Sequence, residues 1–186
     1  DNEQAAYDIS KLAIKFKNDD IAILGLRLLD SNLTCRVYEL PDDEGTPSIA
    51  HKRLAGYQKA IKEHGAELRN DRIWNIPKNS HEVALIAARE ALTSTPRPNV
   101  ILCMSDLIAL AVLQEICAMG LNVPNDIRVV GFDGIDEASR STPPLTTVHQ
   151  NSEEKGNMAA ELFINRATNA VVIPYHIEIG HTVNSN

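Results

Sequence analysis

A chain of 186 residues, 44% hydrophobic and 23% charged, has ordinary globular composition; this excludes a disordered or fibrous polypeptide and allows one large domain or parts of two. The net charge of −7, with no clustered run of Lys and Arg, argues against nucleic-acid binding by these residues, because phosphate contacts need concentrated positive charge. No apolar run approaches the ~18–20 residues of a membrane-spanning helix, and Asp1-Asn2-Glu3-Gln4 is acidic and polar where a secretory leader would be basic, then apolar.

Along the chain, helical and strand patterns alternate. Ala6, Ile9, Leu12, Ala13 and Phe16 fall on one stripe, predicting a helix over 3–17. Ile21-Ala22-Ile23-Leu24 reads as a buried strand, and a short strand is expected near Cys35–Tyr38, followed by a turn at Pro41-Asp42-Asp43-Glu44-Gly45. A helix over 50–64 ends at Gly65, a left-handed cap; Arg72–Ile76 is a strand, and a helix runs from Ser80 to Leu92, stopped by Pro96 and Pro98. Asn99–Cys103 is the next strand, Ser105 the N-cap of a helix over 106–119 with Asp106 near its positive end, and Ile127–Phe132 a central strand. Thr142–Val148 is extended, 152–167 an amphipathic helix, and Val171–Thr182 an alternating strand. Strand and helix alternating at this spacing imply an α/β fold, a parallel sheet sandwiched by helices.

Three cysteines are too few for a disulfide framework; Cys103 and Cys117 are expected to be buried thiols, consistent with a reducing cytoplasmic compartment. The six histidines show no metal-ligand spacing, so no metal or cofactor is expected; nor does any phosphate-cradling or dinucleotide-binding glycine motif occur. Lys15, Lys17, Lys52, Arg53, Lys59 and Lys62 are scattered over polar helix faces, as a solvated surface would have them. Ligands of open parallel sheets collect beyond the carboxyl ends of the strands, which here means Ser48–Arg53, Met104-Ser105-Asp106 and Asp133-Gly134. Arg53 can fork two hydrogen bonds to hydroxyls or a carboxylate, Asp133 can accept from them, and Ser105 can do both. By residue type alone, Arg53 also fits a surface ion pair, Asp133 a turn and Ser105 a cap.

Four segments in order carry a resemblance. Lys52-Arg53-Leu54-Ala55-Gly56-Tyr57 resembles the (R)LAG(Y/F) segment of LacI/GalR-type transcription regulators, and Ser105–Ala111 their ND-xx-A-x-G turn and helix. Gly120–Asp133 is similar to their GL-x-VP-x-D-(I/V)-x-VVG(F/Y)D run, and Thr142–Gln150 to their TPPLTTV-x-Q crossover. The resemblance implies a periplasmic-binding-protein-like (type I) core of two α/β subdomains closing on a ligand, of which this chain is mainly the C-terminal one. Residues 1–147 would form that subdomain, 148–172 would cross to the N-terminal subdomain, and 173–186 would return. The helix-turn-helix head, the hinge and the first part of the core would lie outside the chain.

Carried over residue by residue, Arg53 matches the family arginine that grips effector hydroxyls or carboxylate, and Asp133 the aspartate that accepts from the ligand. Ser105 falls where many members carry a ligand-binding Asn, and Gln150 at the crossover near the cleft. Where many members place an aromatic platform before the helix at Ser80, this chain has Asn79. The implied protein is a cytoplasmic homodimer, not an enzyme and not membrane-bound. It would bind a small sugar, nucleoside or purine effector and control operator DNA through the head, with a dimer face near 80–92, 106–119 and 135–141. A periplasmic sugar-binding protein shares the fold and the Gly131-Phe132-Asp133-Gly134 turn; upstream sequence separates the two, as a helix-turn-helix or a secretory signal.

Overall fold

The computed structural model describes residues 1–39, 47–166 and 170–184. The turn expected at Pro41–Gly45 lies outside the described residues. In chain order the elements are α1 (Asn2–Ala13), β1 (Ile21–Leu26), β2 (Cys35–Arg36), α2 (Ile49–Glu63), β3 (Ile73–Ile76), α3 (His81–Thr93) and β4 (Val100–Cys103). They continue with α4 (Asp106–Ala118), β5 (Arg128–Asp133), α5 (Asp136–Arg140), β6 (Thr146–His149), α6 (Ser152–Ile164) and β7 (His176–Glu178).

The strands form one sheet in the order β2-β3-β1-β4-β5-β6-β7. β3, β1, β4, β5 and β6 run parallel, and β2 and β7 close the edges antiparallel. The inner strands are apolar on both sides because both faces are covered. Ile21 and Ile23 join α1 and α2 on one face, whereas Ala22 and Leu24 join α3 and α4 on the other. Val100 and Leu102 against Ile101 and Cys103 repeat the split in β4. Gly56 lets α2 cross α1 closely, since a Cβ there would strike the Glu3 carbonyl oxygen.

Three expectations are corrected. The first helix stops at Ala13 instead of running to Lys17, and Phe16 is 64% exposed. Ile14 is extended (φ −82°, ψ 120°), and the Asp19 carboxylate draws the chain away by accepting from the amides of Lys15 and Phe16 at 2.8 and 2.9 Å. Arg128 Nη1 meanwhile donates to the Ala13 carbonyl at 2.7 Å, satisfying a helix-end acceptor. Second, the strand expected over Val171–Thr182 pairs only at His176–Glu178, against Thr147–His149. Beyond it the Gly180 amide donates to Thr146 Oγ1 and the Thr146 amide to Thr182 Oγ1, side-chain bonds that mix with backbone ones from His181 to Pro144 and from Val129 to Thr182 and interrupt the regular ladder. Third, Cys103 is buried but Cys117 is exposed, one position off the Ile108, Val112 and Ile116 stripe that α4 presents to the sheet.

At the amino ends of the parallel strands, Arg128 Nη2 and Asp19 Oδ1 form a 2.5 Å ion pair, the side chains 6% and 1% exposed. Burial by itself raises the Asp19 carboxyl. The Arg128 hydrogen bond, the two backbone amides and the Arg128 charge outweigh it and hold the group below the ordinary value. Asp19→Asn leaves Arg128 buried without its counter-charge and is expected to cost about 3–5 kcal/mol at neutral pH. The lowered carboxyl stabilises the fold above its unfolded value, and that contribution fades as pH falls through the folded value. Urea denaturation at neutral pH and near pH ~3 should therefore show the gap between the two proteins closing on acidification.

Candidate ligand-binding site

Five connections leave the sheet at the carboxyl ends of its parallel strands, and the first turns of α2 lie beside them. Ser48 caps α2, its Oγ accepting the His51 amide at 3.2 Å and lying 2.7 Å from His51 Nδ1. Arg53 follows on the face turned toward the sheet. It is not a solvated surface residue: it is 7% exposed, with its guanidinium 3.7 Å from the centre of the Phe132 ring. Nε donates to Asn2 Oδ1 at 3.0 Å, Nη1 to the Met104 carbonyl, and Nη2 reaches Asp133 Oδ1 at 3.5 Å. Burial lowers the guanidinium's proton affinity, and the Asp133 charge counters this.

Asp133 is the last residue of β5 and has a φ of 129°, a region where side chains are strained; Gly134 continues the turn at φ 75°. Gly134 cannot be replaced cheaply, because a Cβ would run into His149. Gln150 Nε2 donates to Asp133 Oδ1 at 2.7 Å, and Lys155 Nζ in turn donates to Gln150 Oε1 at 2.7 Å. Arg53, Asp133 and Gln150, remote in sequence, thus meet around one carboxylate oxygen.

Ser105 is placed differently. It is fully buried, caps α4 by accepting from the Ile108 amide at 3.2 Å, and donates to Asn79 Oδ1 at 2.7 Å. The surface on this side of the site therefore belongs to Asn79. Asp106, read from sequence as a helix-end charge, is fully buried and braces the turn behind Asp133. Its Oδ2 accepts the amides of Gly134 and Ile135 at 2.7 and 2.9 Å, and its Oδ1 the Thr147 hydroxyl at 2.5 Å. Gly131 makes room for that carboxylate, which a Cβ would overlap.

The open hollow between them is about 440 Å3, with Leu26, Ile49, Ala50 and Met104 as apolar lining and Arg27, Ser48, Arg53, Asn79 and Asp133 as polar groups. Arg27, like Asp133, is a non-glycine residue at positive φ (54°), and both line this one hollow. Such strain is held at about 1–3 kcal/mol per residue and gathers at functional sites. A few polar groups set in apolar lining are the usual make-up of a small-molecule site. Among the described residues no group of three or more His, Cys, Asp and Glu side chains converges to hold a metal. Arg27 was missed in the sequence because nothing in its spacing distinguishes it, and Asn79 was noted only as a departure from the family's aromatic platform; the loop before α2 and the strand-end rule pointed only to the region.

Residues 14–184 match the family model of the periplasmic binding protein-like domain. The HTH-type transcriptional repressor PurR of Photobacterium profundum is 37% identical over 120 residues, 64% of this chain and 35% of that protein. The ribose operon repressor of Haemophilus influenzae is 33% identical over 123 residues, 66% of this chain and 36% of that protein. The matched stretch thus spans little more than a third of these relatives' length. A LacI family transcriptional regulator from Silicibacter pomeroyi superimposes with a TM-score of 0.76 at 26% identity, covering 100% of this chain and 63% of that one.

Burial raises the Asp133 carboxyl to about 6, with nearby Asp106 adding to the rise and Arg53 and Gln150 opposing it. Because its folded value lies above the unfolded one, ionising Asp133 weakens the fold as pH rises from about 4 toward 6. Asp133→Asn is expected to remove this slope and to leave the chain on the order of 1–2 kcal/mol more stable above that window. Chemical denaturation of both proteins across the window checks it; parallel pH profiles would mean that Asp133 ionises freely in the folded chain.

Proposed function

The chain belongs to the periplasmic binding protein-like domain family, in the form carried by LacI/GalR-type regulators, and from that premise we propose that it forms one wall of an effector sensor. The observation that carries this reading is that Arg53 and Asp133 line one open hollow at the carboxyl edge of the sheet, with Gln150 bonded to Asp133 from an adjoining hollow. A bound hydroxyl would donate to Asp133 and accept from Arg53, while the apolar lining excludes water. The effector is a sugar, nucleoside or purine small enough for this hollow and its opposite wall.

On this reading residues 1–147 are the C-terminal subdomain, 148–172 belong with a second lobe, and 173–186 return. The character of α6 supports that division: none of its residues is buried, and Phe163 and Ile164 at its end are 86% and 75% exposed. Apolar side chains so exposed suit a surface that a second lobe covers. Effector bridging both lobes would favour the closed form, a coupling of typically 1–3 kcal/mol, and alter how a homodimer presents its helix-turn-helix heads to an operator. The dimer face would involve α3, α4 and 135–141, where Ile86 is 58% exposed and Cys117 lies at the surface. No described helix is long and apolar enough to cross a membrane.

In the intact regulator Asp133→Ala is expected to abolish effector response while operator binding persists. Operator gel shifts with and without sugars and purines measure both, and a normally responding variant would remove Asp133 from the site. The 186 residues alone, holding one wall, are expected to bind these compounds too weakly for calorimetry; micromolar heats from this chain would contradict the two-lobe site.

A further inference from the structure

Asn151 stands in the N-cap position of α6 and does not cap it. An asparagine there ordinarily has an extended backbone and accepts from an amide of its own first turn. This one lies in the left-handed region (φ 49°, ψ 52°) and makes no side-chain bond to the helix. A strained backbone together with a forgone cap calls for a use of the side chain elsewhere.

That use is on the returning chain. Asn151 Nδ2 donates to the Pro174 carbonyl at 2.7 Å, across 23 residues of sequence. A carbonyl can only accept, so the side-chain amide has one orientation, and its Oδ1 faces His149, 3.1 Å from Nδ1. The Asn151 backbone nitrogen lies 3.2 Å from the same Nδ1. The imidazole is thus held in either form: bare, Nδ1 accepts from the backbone amide, and protonated, it donates to Oδ1. His149 in turn stacks on His176, its partner across β6 and β7, with ring centres 4.6 Å apart. Tyr175, between Pro174 and His176, donates to Asp8 Oδ2 at 2.7 Å and anchors the same segment to α1.

We infer that Asn151 is a clasp that fastens together the two segments joining the sheet to residues 152–173, so that their roots move as one unit, and that this unit positions the Asp133 turn. The fastening stands on these contacts alone; its effect on effector affinity rests on the proposed sensor function. The two residues before Asn151 are the ones that meet the turn. Gln150 bonds Asp133 twice, its backbone amide to the carbonyl oxygen at 3.3 Å and Nε2 to Oδ1 at 2.7 Å. The His149 ring packs where a Cβ on Gly134 would lie. With Asn151 closed on Pro174, a displacement of either segment reaches Asp133 as a shift of the whole root, and rotation between lobes is left to residues beyond the clasp. Without it the two segments move independently, and an effector bridging both lobes must order them as it binds.

Hydrogen–deuterium exchange of the intact regulator reads the clasp, and calorimetry reads its consequence. Asn151→Gly keeps the left-handed backbone and removes only the side chain. Asn151→Asp keeps Oδ1, loses the donor to Pro174, and would serve at least as well as an N-cap if capping were the role. Both variants should speed exchange of the β6 and β7 amides together, about fivefold, as loss of one hydrogen bond does. Titrated with D-ribose, cellobiose, adenosine and adenine, both should bind whichever of these the parent regulator binds roughly three- to tenfold more weakly. Faster exchange confined to α6, with the β7 amides unchanged, overturns the clasp. So does an Asn151→Asp protein that exchanges and binds like the parent, since that is the behaviour of a cap. Faster exchange in both strands with unchanged affinity overturns the coupling to Asp133. If none of the four compounds binds or alters operator affinity, the sensor reading fails, and exchange in β6 and β7 still decides the clasp.

Discussion

A guanidinium taken out of water is costly unless its donors find partners, and Arg53 places a donor of each of its three nitrogens by drawing four parts of the chain together. Asn2 comes from α1, Met104 from the loop after β4, and Asp133 and Phe132 from β5. The end of the sheet where the hollow lies is thus organised around one charge on α2. The fork engages three elements at once, a geometry that a lysine's single ammonium could not reproduce.

Asp133 completes the pair under conditions that oppose its own ionisation. It sits at an unfavourable φ, with Asp106 behind it and Gln150 and Arg53 on its outer oxygen. The two aspartates divide the labour by environment. Asp106 accepts from two amides and a hydroxyl and is closed off from solvent, whereas Asp133, about a third exposed (31%), faces the hollow. A carboxylate held ionised near a cation but short of donors is prepared for a ligand's hydroxyl, and the cost in stability is what functional sites commonly carry. Gly131 and Gly134 make this packing feasible, since a side chain at either would occupy the space of Asp106 or His149.

The opposite end of the sheet is built for stability. Asp19 and Arg128 are almost wholly buried, bond each other, and close both the end of α1 and the approach to β1. No strained non-glycine residue occurs among the described residues there: Arg27, Asp133 and Asn151 lie at the carboxyl end, and Arg166 follows α6. The division between a rigid base and a strained rim matches the general habit of open α/β sheets, which place recognition at the strand ends.

The alternation of two-sided apolar strands with capped helices was legible residue by residue: Ile21–Leu24, Ser105 ahead of α4, and the left-handed Gly65 and Gly120 all fall where local chemistry puts them. Local signals, being set by propensity and capping, need no distant partner to be read. They failed where a distant residue intervened, as when Asp19 and Arg128 ended α1 early and left Phe16 in solvent. The meeting of Arg53 with Asp133 and Gln150 was suggested by strand ends and family resemblance, but its hydrogen bonds were not. Only the folded chain decided that Ser105 lies behind Asn79, that Asp106 braces a turn 28 residues away, and that Arg27 joins the hollow. Those outcomes depend on which side chains become buried together, and a buried hydroxyl or carboxylate takes its partner from whatever the packing brings within reach, not from its neighbours in sequence.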